Sequence, residues 1–392
     1  MNIHVEGSTL TSLRKRYKAS LEAAARMTSL EPDVLMDWET NGTDISITEA
    51  KRIAGAFHSH WSVLLLTSDI KPIKEPINHR AGYEENSHFS DSTIRAYEIA
   101  RKILDASEDI EGQTLDVRLV PLMHLGQSNG DAVVLANRVR ELMGISTERT
   151  MRIQGGPYEV YKFWRERVSG LGVYVSEQDM PADETKAFLL KDEDRAVIVI
   201  NKKDRYIFSR VFSLLHELGH LIKGEDSAAC LVAVSARRNS TDESWCNKFA
   251  SELVASDAVI FHDVLVDEVR QSSDPSGIVK RLASKYKVSF TVMLYKLKRH
   301  DKISQEQCRE IQAFFENVLL PRMFPPPDPE REIRLGRAYF VNKDLSRASV
   351  GLAKEVMAKN MAGAISYSEA AKLLGTKAKY LGDIKESVGF GR

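Results

Sequence analysis

Residues 212 to 221 read Phe-Ser-Leu-Leu-His-Glu-Leu-Gly-His-Leu, and the fold and chemistry of the chain are best read outward from them. His216 and His220 stand four positions apart. On an α-helix that spacing separates them by about 40°, so both imidazoles leave one face and can converge on one cation. Glu217 is turned by about 100° from His216, beside such an ion rather than on it, where a base must stand to take a proton from water. The flanks supply apolar surface for a buried helix: Ile207, Val211, Leu214, Leu215, Leu218, Leu221 and Ile222. A helix is expected from about Arg205 to Lys223, stopped at Gly224. The plain alternative is a pair of satisfied core histidines, since H-E-x-x-H arises by chance in a chain this long roughly once in a hundred.

A catalytic zinc takes a third protein ligand and leaves a position open to water. Residues 243 to 250, Glu-Ser-Trp-Cys-Asn-Lys-Phe-Ala, open an amphipathic helix with Cys246, Phe249, Ala250 and Leu253 inward. Glu243 is a candidate ligand in its first turn. An acidic residue there would equally complement the helix dipole. Asp242 and Cys246 compete with it on spacing alone.

Composition narrows the class. The 392 residues are 43% hydrophobic and 28% charged, as in ordinary globular proteins, and long enough for two or three cores. Lys plus Arg and Asp plus Glu both total 55, so no global field draws the chain to nucleic acid or membrane. No apolar run, Val63 to Leu66 among them, is long enough to span a bilayer, and no secretory h-region follows the basic start. Three cysteines without C-x-x-C spacing argue against a disulfide framework and for a reducing cytoplasm.

Four short helices with tight turns are expected over residues 9 to 66, with the rhythm of a helix-turn-helix unit. A Pro-punctuated connector follows at 71 to 76, then an amphipathic helix at 91 to 110. Residues 130 to 225 alternate: helices at Val133 to Met143 and Glu159 to Val168, strands at Gly172 to Val175, Ala187 to Leu190 and Ala196 to Ile200. Helices return at 242 to 257 and 276 to 300. Phe324-Pro-Pro-Pro327 reads as a stiff linker, and Ser366-x-x-Glu369 as a capping box in a helical tail. The fold class expected is α+β, mainly helical.

Phe212 to Leu221, followed by Glu243-x-x-Cys-Asn-x-Phe-Ala-Ser-Glu-Leu, resembles the ImmA/IrrE metallo-endopeptidases. The resemblance extends to Phe163-Trp164 through Val175, to Lys186 to Leu190 and to Val197 to Asn201. It implies a zincin-type peptidase with Zn2+ held by His216, His220 and Glu243, and Glu217 as catalytic base. Cys246 stands where relatives have Ala, and Ala255-Ser256 where they often have Met-Pro. Residues 9 to 66, with Trp38-Glu39-Thr40-Asn41-Gly42, resemble the lambda-repressor-like (XRE) domains often fused before this peptidase. The expected organisation is a helix-turn-helix domain at 1–70, a helical connector at 71–128, the peptidase at 129–265, a helix-turn-helix-like region at 266–320 and a helical tail at 321–392.

Partner expectations follow. Val197, Ile198 and Val199 are candidates to pair with an extended substrate by β-addition. No residue is marked by the sequence as an oxyanion donor; Arg210 and Tyr206 are only nearby in the chain. The third helix of the N-terminal unit and its entry carry Glu31, Asp33, Asp37 and Glu39 and no cation, and residues 1 to 66 hold seven basic and eight acidic side chains. Phosphate contact relies on cations, so protein recognition or homodimerisation is favoured over DNA there. Lys285, Lys287, Lys298 and Arg299, in a basic stretch at 280 to 302, are the nucleic-acid candidates, against a solvated helix face. The resemblance implies a protein substrate, a transcriptional repressor with a helix-turn-helix domain, whose cleavage derepresses stress or mobile-element genes. The rival reading is a DNA-binding regulator or toxin–antitoxin component with a structural or sensory zinc site.

Overall fold

The computed structural model describes residues 2–16, 20–56, 64–65, 90–111, 122, 125, 130–192, 195–224, 229–230, 241–323 and 337–390. Its secondary structure is mainly helical with small sheets, an α+β chain. The expected connector at 71 to 76 and the Phe324–Pro327 linker lie outside the described residues. Two compact units divide the chain, Met1–Glu75 and Pro76–Arg392. Among the described residues no helix is long and apolar enough to cross a membrane.

The first unit holds β1 (Asn2–Val5), α1 (Gly7–Arg16), α2 (Leu21–Thr28), α3 (Pro32–Asn41), β2 (Thr43–Ser46) and α4 (Ile47–Ala56). Leu10, Leu13, Ala24, Leu35, Ile45 and Ile53 form its interior. Pro32 opens α3, where its missing N–H costs nothing. The expectation of helices over residues 9 to 66 missed β2, which pairs antiparallel with β1 from Asn2↔Ser46 to Val5↔Thr43. Four-residue strands joined across forty residues leave no local periodicity to read. Glu39 does not face outward with its acidic neighbours: Arg14 grips its carboxylate through two 2.7 Å bonds, and Thr11 adds a third. The outward acidic surface of α3 is therefore smaller than the sequence suggests, and so is the basic run on α1.

The second unit begins with α5 (Asp91–Glu111), α6 (Ala132–Leu142), α7 (Thr147–Met151) and α8 (Pro157–Ser169). Strands β3 (Tyr174–Gln178), β4 (Ala187–Asp192), β5 (Arg195–Asn201) and β6 (Ala229–Cys230) form one sheet in the order β3-β5-β4-β6. β5 is parallel to β3 and antiparallel to β4. The run Ala196-Val-Ile-Val-Ile200 is apolar throughout because both faces of the sheet are covered. Ala196, Ile198 and Ile200 join the main core with α9 (Ile207–Ile222), while Phe188 on the other face meets Tyr97 of α5, ring centroids 6.4 Å apart.

Beyond β6 come α10 (Thr241–Val254), α11 (Asp257–Ile260), α12 (Val264–Glu268), α13 (Pro275–Tyr286), α14 (Phe290–Arg299) and α15 (Gln305–Phe314), the last running through a π-turn, Phe315–Leu319, into α16 (Leu320–Met323). Residues 276 to 300 are two helices: Lys287 takes a left-handed conformation, φ 56°, and Ser289 caps the next N-terminus. The tail forms α17 (Arg337–Ala348), α18 (Val350–Met361), α19 (Tyr367–Leu373) and α20 (Leu381–Ser387), with the capping box at Ser366 and Glu369 present.

The tail covers the edge strand β3. Val175 N–H donates to Ser349 Oγ at 3.2 Å, Ser176 Oγ donates to the Arg347 carbonyl at 2.6 Å, and Tyr174 OH donates to Glu355 at 2.7 Å. Ser349, wholly buried between α17 and α18, accepts a left-handed φ of 75° to make this contact. An uncovered edge would offer its N–H and C=O row to any passing strand.

Candidate metal centre

Helix α9 forms because Val211, Leu214, Leu215, Leu218, Leu221 and Ile222 fall on buried stripes, each 2% exposed or less. Burying each such side chain contributes roughly 1.5–3 kcal/mol. Gly224, at φ 75°, lies just past its end. His216 and His220 occupy the face turned to α10, and their Nε2 atoms lie 3.0 Å apart.

Glu243, in the first turn of α10, closes the group. Its Oε2 lies 3.3 Å from His216 Nε2 and its Oε1 3.3 Å from His220 Nε2. Each imidazole meets its own carboxylate oxygen, at about the 3.3 Å that separates two ligands held by bonds of about 2.0–2.1 Å. The donor set, two imidazoles and a carboxylate, is one zinc accepts. The two imidazoles hold the Glu243 carboxyl well below the usual carboxylate range, by hydrogen bonding first, with burial opposing and charge assisting. The histidines are buried while the Glu243 side chain is 41% exposed, so the group opens on the Glu243 side.

Asp242 and Cys246 do not join the group. Asp242 pairs with Lys223 at the end of α9. Cys246 is buried against α9 and lies outside the three-residue cluster. What brings α10 close is Gly219, between the two histidines: a Cβ there would lie 3.2 Å from Phe249 Cδ1 and 3.4 Å from Cys246 Cα. Glu217 is fully buried on α9, next to His216 but outside the cluster. Nδ1 of His216 is buried without a hydrogen-bond partner among the described residues.

Further residues hold α10 in place, and the sequence reading missed them. Arg140 of α6, itself buried, donates to the carbonyls of Glu252 and Leu253 at the far end of α10. Trp245 Nε1 donates to the Gly130 carbonyl at 3.1 Å, and Lys248 pairs with Asp131 at 2.9 Å. Arg140 had one sequence signal: a cation on the buried stripe of Leu135, Ala136 and Val139.

Other candidates lie elsewhere. Val197, Ile198 and Val199 belong to β5, the inner strand, laddered to β3 on one side and β4 on the other. The strand-addition expectation is corrected there, because β5 has no open edge to give an extended peptide. Arg210 donates to the carbonyls of Asp204 and Lys202 and faces buried Glu177, while the Tyr206 hydroxyl accepts from Phe290 N–H at 3.0 Å. Both residues are thus engaged with backbone. Within the basic stretch, Lys285 pairs with Asp263 at 2.7 Å, Arg299 pairs with Asp257, and Lys296 is buried. Lys287 is the left-handed residue ending α13, and Lys298 lies in the last turn of α14.

No curated protein and no solved structure gives a significant match to the chain. Residues 168–298, about a third of it, match the family model of the IrrE N-terminal-like domain, peptidase family M78. The match spans α9, the metal-type cluster and the helical pair α13–α14, and it supports an ImmA/IrrE-type assignment and a metallopeptidase-type function for this region.

Proposed function

We propose that this chain is a zinc-dependent endopeptidase, with His216, His220 and Glu243 as the metal ligands and Glu217 as the base. The observation that carries the reading is the convergence of three side chains, the two Nε2 atoms 3.0 Å apart and each 3.3 Å from one oxygen of Glu243, with a second carboxylate adjacent on α9 but outside the set. When bound there, zinc supplies Lewis acidity, lowering the pKa of water to around 7 and polarising a carbonyl oxygen. Glu217 accepts the proton from the attacking water and delivers it to the leaving amine. The buried walls of α9 and α10 limit bulk water and strengthen charge interactions within the site.

The family resemblance supports a protein substrate, a transcriptional repressor carrying a helix-turn-helix domain, whose cleavage releases stress or mobile-element genes. The acidic, cation-free α3 supports docking of protein rather than DNA by the first unit. One observation favours the rival reading, a regulator with a structural or sensory zinc: the Glu217 carboxylate is wholly buried. A Glu217→Gln variant separates the two. Retained zinc with loss of cleavage is expected; unchanged activity or function in that variant rejects the peptidase mechanism.

A further inference from the structure

Helix α9 carries an aromatic row that its own packing covers incompletely. Val211, Leu214, Leu215 and Leu218 are sealed in the core, but Phe208 and Phe212 are only partly buried against it. Phe208, Phe212, His216 and His220 recur at four-residue spacing, so they form one continuous row along the helix. The Phe212 ring lies 6.2 Å from the His216 imidazole. A half-open aromatic surface therefore begins one helical turn before the first of the two histidines.

The charges nearby are of both signs, and the cations among them are engaged. Arg210 is engaged with loop carbonyls and Glu177, and Lys186 Nζ lies 3.5 Å from Ser209 Oγ on the intervening turn. What the row offers a ligand is the phenyl face, which gains from apolar burial. We propose that Phe212, continued by Phe208, is the specificity-determining floor of a subsite for an apolar side chain of the substrate, adjoining the bond to be cleaved. The inference rests on the peptidase reading and names the substrate feature which that reading leaves open.

The test uses full-length protein reconstituted with zinc and two probes sharing one metal-binding head, acetohydroxamate and 3-phenylpropionohydroxamate, with affinities measured by calorimetry. The phenyl compound should bind on the order of ten-fold tighter to the wild type, the usual scale for an apolar group entering a hydrophobic site. In Phe212→Ser that ratio should fall towards one, while zinc content and acetohydroxamate affinity hold; Phe212→Leu should keep most of it and guards against a folding defect in the serine variant. A ratio near one in zinc-loaded wild type, or an equal ratio in wild type and Phe212→Ser, overturns the subsite alone. Protein that takes up no zinc removes the metal-centre reading, and the subsite with it.

Discussion

Gly219 of α9 and Cys246 of α10 approach so closely that a Cβ on the glycine would lie 3.4 Å from the cysteine Cα. This approach delivers Glu243 to the two histidines, because Glu243 stands three residues before Cys246 on the same helix. Gly219→Val should force α10 outward and weaken zinc binding by about 10–100-fold, the range seen when residues supporting a metal ligand are lost. Competition against a chelating dye measures it; unchanged affinity would mean that α10 is positioned by its other anchors.

The proposed ligand set makes a selective prediction. His220→Ala and Glu243→Ala should purify with little or no zinc, whereas Asp242→Asn and Cys246→Ala should keep a full equivalent. Elemental analysis of the purified proteins distinguishes them. Loss of zinc in Cys246→Ala, with the fold intact, would reassign the third ligand.

A buried ionic cluster joins the end of α10 to α14. Lys296, fully buried, lies 2.5 Å from Asp257 and 3.8 Å from Glu252, and Asp257 also pairs with Arg299 and His300. Lys296→Ala takes the fully buried cation from between Glu252 and Asp257, although Asp257 keeps Arg299 and His300, and removal of one member of a buried pair costs about 3–5 kcal/mol. Urea denaturation should show a loss of that size. A cost under about 1 kcal/mol would show that the carboxylates rearrange to solvent.

The same cluster predicts a pH dependence. Burial pushes the Asp257 carboxyl up, but Lys296, Arg299 and His300 outweigh it and hold the group below the usual carboxylate range. Such a group adds stability that is full above its unfolded pKa, about 3.9, and fades as pH falls through the folded value. The stability gap between wild type and Asp257→Asn should therefore be constant above about pH 5 and shrink below about pH 4. A gap that widens in acid has the wrong sign.

In the first unit, Arg14→Met removes the cation from Glu39, whose side chain is only 8% exposed. A charge-assisted pair of this kind contributes about 1.5–3 kcal/mol, and the unit's unfolding should shift accordingly. Because α3 carries no Lys or Arg, the full-length chain should give no tight, sequence-specific duplex shift at moderate salt through this helix. A salt-resistant specific complex would assign it to DNA.

What was legible in the chain was what repeats locally. The α9 stripe, the i,i+4 histidines, the apolar β5 run, the Pro32 start and the Ser366–Glu369 capping box each depend on residues within one or two turns of each other. Sequence read the lysines of 280 to 302 as one patch, yet their partners Asp263, Asp257 and Asp267 lie 22 to 42 positions away. The β1–β2 pairing and the cover of β3 by Ser349 and Arg347 are equally non-local.

The sequence alone determined which side chains share the inner face of α9, because helical geometry places residues four apart on one side whatever surrounds them. Tertiary structure decided which carboxylate reaches them, which strand is enclosed and which cations are neutralised. Those outcomes depend on how closely separate elements approach, and one missing side chain, at Gly219, sets that distance where the candidate metal ligands meet.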